Sequence, residues 1–503
     1  MLPILLQNYW GSLHTMSDQQ LLLLTVLMPF AGAVVISLCG RWPNLRETVT
    51  LATAAAVCIS VISLYLRFSD GALLAADLAE PLPGLTLRFE IEPLGMLFAL
   101  VASILWLITS IYAIGYMRGH HELNQTRFYA LFAVAIGSTL AIAFAGNLLT
   151  LFLFYEALTI STYPLVAHAG TQEARRGART YIGILLTTSI GFLLLAILVT
   201  YTVSGSLDFR AGGILSGKLD PAWAGLLYAL FIFGIGKAAV MPFHRWLPAA
   251  MVAPTPVSAL LHAVAVVKAG VFSVLKVTVY IFGTDFIVNS GANDWLVWFA
   301  GATILLASLI AMTRDNLKSR LAYSTVSQLS YIVLGALLAT NMSLIGGALH
   351  ITMHAFAKIT LFFAAGAILV ATHKSEISDM GGLGRAMPIT FGAFLIASLS
   401  IIGLPPFGGM WSKWYLGMGA VETGQWLLLS VLLVSSLLNI AYLLPIPIKA
   451  FFGKTSDGTT SSRMREAPVS CLIAMIITSF ACVLLFFYPD PFYELALSAT
   501  GAR

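Results

Sequence analysis

The sequence predicts an all-α polytopic membrane protein of about fourteen transmembrane helices, and three observations predict it. Of 503 residues, 59% are hydrophobic and only 10% are charged, whereas a soluble domain carries about 25% charged residues. The apolar residues gather in runs of roughly the 20 residues that a spanning helix needs. Lysine and arginine are divided unevenly between alternate loops. A soluble fold of this size needs a polar surface that this chain does not supply. That excludes an ordinary cytosolic enzyme, a disordered protein and a nucleic-acid binder. The net charge of +5 is thinly spread and marks no basic patch.

Fourteen apolar runs lie near 21–39, 48–66, 95–117, 128–145, 147–168, 180–202, 223–250, 256–281, 293–312, 320–339, 343–371, 386–424, 426–450 and 469–488. The first 20 residues hold no Lys or Arg, so the first run is expected to be a retained span rather than a signal peptide. The seventh and twelfth runs are too long and are interrupted. The seventh contains Pro242 and Pro248; the twelfth contains Gly403, Pro405, Pro406, Gly408 and Gly409. Proline removes a backbone donor and clashes with the preceding turn, so both are expected to be broken helices. Between spans, segment 68–93 alternates Leu85, Leu87, Phe89 and Ile91 and fits a short extramembrane hairpin. Residues 453–467 form a polar loop, and the tail 490–503 is expected along the interface.

The loops on one side hold 17 basic residues, among them Arg118, Arg127, Arg175, Arg314, Lys318 and Arg320. Those on the other hold five: Arg67, Arg88, Arg210, Lys218 and Arg503. That asymmetry places the first side in the cytoplasm and both termini outside. The four cysteines, Cys39, Cys58, Cys471 and Cys482, sit in apolar runs with no CxxC pair or His/Cys cluster. They read as small core residues. There is no dinucleotide fingerprint and no phosphate loop, so no cofactor is expected.

Five lysines remain inside spans: Lys237, Lys268, Lys276, Lys358 and Lys413. Only Glu156, among the acids, lies well inside one. An ionisable group in hydrocarbon costs several kcal/mol, so each needs a partner, water or a function. Lys276 is near a span end and is expected to snorkel to the headgroups. Glu156 shares a helix face with Thr159 and Tyr163 and reads as a proton-linked carboxylate, the bland alternative being a static salt bridge. Lys237 stands close before the Pro242 break, where Gly234 and Gly236 admit a neighbouring backbone. Lys268 and His262 are six residues apart, hence not on one face, yet both can line a watery seam. His350, His354 and Lys358, spaced four and four, form one stripe. Two such histidines invite a metal, but a third ligand is missing and a lysine extends the stripe, so a hydrated proton relay is the better reading. Lys413 follows the second break, whereas Lys237 precedes the first; that opposite order is what inverted repeats would give. Ser324, Thr325, Ser327 and Gln328 add water-binding groups to the tenth span.

The stretches FYEALTISTYPL, GKAAVMPFHRWLPAAMVAPTPVSALLHA, KSRLAYSTVSQLSY, HITMHAFAKITLFF and GLPPFGGMWSKW occur in that order across roughly residues 95–450. Together they resemble the antiporter-like proton-translocating subunits shared by respiratory complex I and the multisubunit Mrp-type cation/proton antiporters. The resemblance implies two inverted five-helix repeats. The chain would then divide into helices 1–3 with the hairpin (1–127), a first repeat (128–283), a second repeat (284–450), and a polar loop, last helix and tail (451–503). It implies a carboxylate–lysine pair at Glu156 and Lys237. It implies a connection between two half-channels at Lys268 or His262 with His350, His354 and Lys358, and a terminal lysine at Lys413. Three features depart from or divide the family pattern. Ala249 stands where an acidic residue commonly follows WLP. Lys413 stands where one complex I subunit has glutamate. The chain length leaves no room for the lateral helix of the largest complex I member. Length and Lys413 are most similar to the MrpD-type member, while APTPVSALLHAVAVVKAG is more similar to the largest Mrp and complex I subunits.

The expected function is therefore that of a proton-translocating subunit of a multisubunit monovalent cation/proton antiporter in a bacterial inner membrane, with Na+ as the candidate cation. Its expected partners are other membrane subunits and lipid, not nucleic acid. The alternatives are a proton-pumping subunit of a complex I-like or hydrogenase-like redox assembly, without a redox centre of its own, and the membrane subunit of an ion-driven inorganic carbon transporter. A scaffold with relic charges is the bland alternative.

Overall fold

A computed structural model of the chain describes residues 11, 13, 15–454 and 464–501. Among these, twelve helices are long and apolar enough to cross a membrane. Two more apolar helices, Pro221–Gly234 and Pro388–Ile402, are too short to cross alone. These two fall in the seventh and twelfth runs, where breaks are expected. The protein is an all-α polytopic membrane protein.

The first break lies earlier than Pro242. Helix Pro221–Gly234 begins on an Asp220 cap and ends eight residues before that proline. It is followed by a tight turn, Gly236–Ala238, and later by the short helix Trp246–Ala249. The reason is packing: a Cβ on Gly234 would collide with the Leu193 nitrogen, and one on Gly236 would collide with Thr188 Oγ1. Only glycine lets the two backbones come this close. At the second break, helix Pro388–Ile402 stops at Gly403, which adopts φ +91°, and the chain resumes as helix Gly409–Glu422.

Helix Asn341–Thr372 is the central post. It packs against Pro93–Gly119, Leu317–Leu338, Pro388–Ile402, Gly409–Glu422 and Val469–Phe487, and against the first turns of Thr255–Phe282. The hydrophobic window of Thr255–Phe282 is 100% buried, against 33% for the peripheral helix Gln172–Ser204. Thr255–Phe282 is also irregular. Wide π turns occupy Leu260–Val264 and Thr278–Phe282, and Ala265 departs from helical geometry between the first of these and Val266. Such turns insert an extra residue per turn and re-aim side chains.

The expected hairpin is present. Strands Ala75–Leu82 and Leu85–Glu90 pair antiparallel, with Ala75 opposite Glu90 and Leu82 opposite Leu85. The second strand docks on the loop before helix Leu148–Val166, where the Gly146 N–H donates to the Arg88 carbonyl at 2.8 Å. The middle of the expected polar loop, 455–463, lies outside the described residues, as do 502–503 of the tail. The rest of the tail contains helix Asp490–Ala499, which packs on Asn341–Thr372 and Pro93–Gly119.

Candidate functional site

Lys237 sits inside the first break, not before it. Opening the helix after Gly234 frees the side chain to reach across to helix Leu148–Val166. There its Nζ donates to the Tyr155 carbonyl at 2.7 Å and to Thr159 Oγ1 at 2.6 Å. The ammonium also lies 3.1 Å from the centre of the Tyr155 ring. A buried cation is tolerated where oxygens and an aromatic face replace water. Lys237 is fully buried, and a Cβ on Gly270 would run into its carbonyl carbon. The site is therefore closed by backbone from helix Thr255–Phe282. Glu156 is the acidic neighbour whose charge acts on Lys237. Its carboxylate makes no hydrogen bond to protein, and the contacts of Lys237 go to Tyr155 and Thr159 instead.

Lys268 and His262 both bear on the central post, although a six-residue spacing predicts different faces. The π turn at Leu260–Val264 accounts for the difference by rotating the helix between them. Lys268 Nζ is 2.7 Å from His354 Nδ1. The His262 ring packs 4.7 Å from that of Phe362, eight residues further along the same helix as His354. Both residues are fully buried, and neither nitrogen of His262 has a hydrogen-bond partner.

The stripe on Asn341–Thr372 is occupied as the four-and-four spacing predicts. His350 and His354 stack with ring centres 5.6 Å apart. His350 Nδ1 is 2.8 Å from Ser412 Oγ, and its ring stacks on Tyr331. Lys358 Nζ donates to Ser324 Oγ at 2.8 Å, and the Tyr442 hydroxyl donates to the same oxygen at 3.0 Å. Of the four polar residues expected on the tenth span, Ser324 thus binds the lysine. Gln328 is buried with its amide unpartnered. Lys413, one turn into helix Gly409–Glu422, donates to the Ile402 carbonyl and to Ser436 Oγ, both at 3.0 Å, and lies 5.1 Å from the Tyr331 ring centre. His350 and Lys413 thus share Tyr331. Nδ1 of each stripe histidine is engaged with a different partner, Ser412 or Lys268. Among the described residues, no three His, Cys, Asp or Glu side chains gather as a metal site requires.

The groups around the central post share one electrostatic field. His354 feels the charges of Lys268, Lys358, His350 and His262, and His350 feels those of Lys268, Lys413 and Lys358. Glu156 supplies negative charge to Lys237. Groups of like sign this close cannot all be charged together, so loading one disfavours loading the next. The second nitrogens of His350 and His354 face no protein partner. Buried polar atoms of this kind are ordinarily satisfied by water.

Lys276 does not snorkel. It is fully buried, ion-paired with Glu92, donates to the Ala145 carbonyl at 2.6 Å and lies 4.4 Å from the Phe209 ring centre. Its helix is enclosed on every side and offers no lipid-facing route to the headgroups. Glu92 stands immediately before helix Pro93–Gly119 and lines a cavity of about 130 Å³ with Glu90, Phe209 and Tyr280. Burial pushes the Glu92 carboxyl up, and the Lys276 ammonium pulls it down. The pair went unread in the sequence because Glu92 belongs to no apolar run. Its position directly before Pro93, at a helix start, was the available signal.

A family model described as NADH:quinone oxidoreductase/Mrp antiporter, transmembrane, matches residues 145–439. The NADH-quinone oxidoreductase subunit N of Desulforudis audaxviator is 33% identical over 412 residues, covering 79% of this chain and 81% of that protein. A Rhizobium meliloti protein described as the A/B component of a probable K(+)/H(+) antiporter is 32% identical over 412 residues, which is 80% of this chain and 40% of that protein. In three dimensions the chain is similar to one in the Mrp complex from a Dietzia species, with a TM-score of 0.84, 23% identity and 97% of each chain covered.

Proposed function

Because this chain belongs to the NADH:quinone oxidoreductase/Mrp antiporter transmembrane family, we propose that it is the proton-translocating membrane subunit of a multisubunit monovalent cation/proton antiporter of Mrp type. The observation that carries the reading is the set of buried basic groups Lys237, Lys268, His262, Lys358, His354 and His350, with the half-buried Lys413 at one end and one carboxylate, Glu156, beside Lys237. Protons load near Lys237, where Glu156 biases the lysine. They pass along water and the Lys268–His354 contact, and leave beside Lys413. The two broken helices bracket the file and support two inverted repeats, 128–283 and 284–450. The uneven lysine and arginine content of the loops supports a cytoplasmic basic face and both termini outside, and the similarity to bacterial proteins supports a bacterial plasma membrane.

The test is transport by the complete assembly in sealed vesicles. Sodium or potassium added on one side should drive proton movement, and Lys237→Ala should abolish it. A second reading is a proton-pumping subunit of a complex I-like redox assembly. The 33% identity spanning most of a quinone oxidoreductase subunit favours it. Purification with native partners separates the two. Small hydrophobic subunits without flavin or iron–sulfur centres support the antiporter, and flavin- or cluster-bearing partners assign the same machinery to a redox pump.

A further inference from the structure

A polar cluster on the lysine- and arginine-rich face plays no part in the file above. Helix Pro93–Gly119 ends just before His120, and Glu122 follows; helix Leu148–Val166 ends two residues before His168. The fold brings these two ends together. His120 Nδ1 lies 3.0 Å from one Glu122 carboxylate oxygen, and His168 Nε2 lies 3.7 Å from the other. His120 and Glu122 remain open to water, with side chains 32% and 16% exposed, whereas the His168 side chain is 1% exposed. The backbone of Leu123 also meets the His168 ring. Arg127 donates to the His168 carbonyl at 3.4 Å, and the ring of Phe128 packs edge-on against the imidazole. Burial holds the His168 imidazole below its ordinary range, while Glu122 pulls it up and Arg127 pushes it further down.

The cluster is connected inward. The Tyr116 ring stacks on His120 at 5.6 Å, and Thr255 donates to the Tyr116 hydroxyl at 3.4 Å. Thr255 and Ser258 occupy the first turn of helix Thr255–Phe282, and His262 lies in the wide turn Leu260–Val264 that follows it; all three are fully buried. Lys318, anchored to the Ala253 carbonyl at 2.6 Å, is near enough for its charge to act on both Glu122 and His262. Lys358 is the other cation that acts on His262. The inner end of this lane is therefore a buried imidazole with two free nitrogens, and the outer end is a carboxylate between two imidazoles.

We propose that His120, Glu122 and His168 form a proton-collecting port on the basic face, joined to His262 through Tyr116 and Thr255. The proposal rests on the proton-translocating reading. A carboxylate flanked by imidazoles attracts protons against the surrounding lysines and arginines. An imidazole accepts a proton at one nitrogen while releasing one from the other. A hydroxyl does the same by giving up its own proton as it takes another, so no bond is left unbalanced along the lane.

The experiment uses vesicles that hold the complete assembly with the basic face accessible, and follows proton uptake against pH on that side. His168→Ala and Glu122→Gln should each slow uptake by about tenfold or more at alkaline pH, where protons are scarce, and much less at acid pH. Imidazole added on that side should restore much of the His168→Ala rate. His168→Gln keeps size and polarity without titrating, and should behave like the alanine variant if that one fails to assemble. Wild-type rates at every pH would overturn the port. So would a loss that is equal at every pH and deaf to imidazole in an assembled variant. If wild-type vesicles carry no proton flux, the translocation reading falls and the port with it. If they carry a flux that Lys237→Ala abolishes while the His168 and Glu122 variants match wild type, the port alone falls.

Discussion

Lys268 and His354 meet directly in the protein interior, ammonium nitrogen to ring nitrogen at 2.7 Å, and among the described residues no acidic side chain forms an ion pair with either. A hydrogen bond between two basic groups needs one donor and one acceptor, so the pair holds a single positive charge at a time. With the His262–Phe362 packing, it is one of the contacts that join the helix carrying His262 to the central post. Replacing His354 with alanine should lower proton flux by about a hundredfold. His354→Gln, which keeps an acceptor for Lys268 but cannot carry a proton, should lose as much. Flux measured in sealed vesicles decides it: near-normal transport by His354→Gln would show that the contact only holds the helices together.

The ends of the file should be equally sensitive. Glu156→Ala, Lys237→Ala and Lys413→Ala are each expected to abolish transport while the assembly still purifies intact. Full transport by any of them would remove that residue from the mechanism. Thr159→Val is a milder case. It deletes the hydroxyl that accepts from Lys237 at 2.6 Å but leaves the Tyr155 carbonyl, and transport should fall without disappearing.

Gly270 tests the geometry without touching a charge. An added methyl would collide with the backbone of Lys237. Gly270→Ala should therefore cost about 1–3 kcal/mol of stability, as overpacking does, and should displace the lysine. Thermal unfolding in detergent and proton flux should both decline. A stable variant with a normal rate would mean that the backbone there yields freely.

Much of the site was legible in the sequence, for a physical reason: a lysine in an apolar run has no cheap explanation, so Lys237, Lys268, Lys358 and Lys413 announced themselves. The four-residue spacing of His350, His354 and Lys358 likewise fixed a shared stripe, because an unbroken helix keeps its period. What could not be read depended on broken periods or on distant partners. The π turn beside His262 overturns the face predicted by spacing. The first break falls at a glycine contact with Leu193 rather than at Pro242. Lys276 was misread because its burial depends on the helices around it, and its partner Glu92 lies more than 180 residues away in the chain.

That pair gives a stability prediction. Glu92→Gln leaves a fully buried ammonium without its counter-charge, and removing one partner of a buried pair costs about 3–5 kcal/mol. Replacing both partners together, Glu92→Leu with Lys276→Met, should recover most of the loss. Thermal stability of the purified assembly measures both. A single variant as stable as wild type would mean that Lys276 finds another partner.

His168 gives a pH prediction. Burial lowers its affinity for protons in the folded protein, so the unfolded chain binds the proton at higher pH. Stability therefore rises with pH across this interval and is lost as pH falls below about 6.5. Melting temperatures recorded across pH should lose part of this acid-side slope in His168→Gln. An unchanged slope would assign the acid sensitivity to other groups.

Helix Asn341–Thr372 carries its three basic groups lengthwise. From His350 to Lys358 is eight residues, about 12 Å of helix rise. The hydrocarbon layer it crosses is about 30 Å thick. A proton passed down that stripe therefore traverses a sizeable fraction of the electric field as well as a row of side chains. Moving one charge through the whole field is worth about 2.3 kcal/mol per 100 mV, so the stripe alone would account for about 0.9 kcal/mol if the helix stood upright. If the stripe carries protons as proposed, the membrane voltage acts directly on each handover, favouring it in one direction and opposing it in the other.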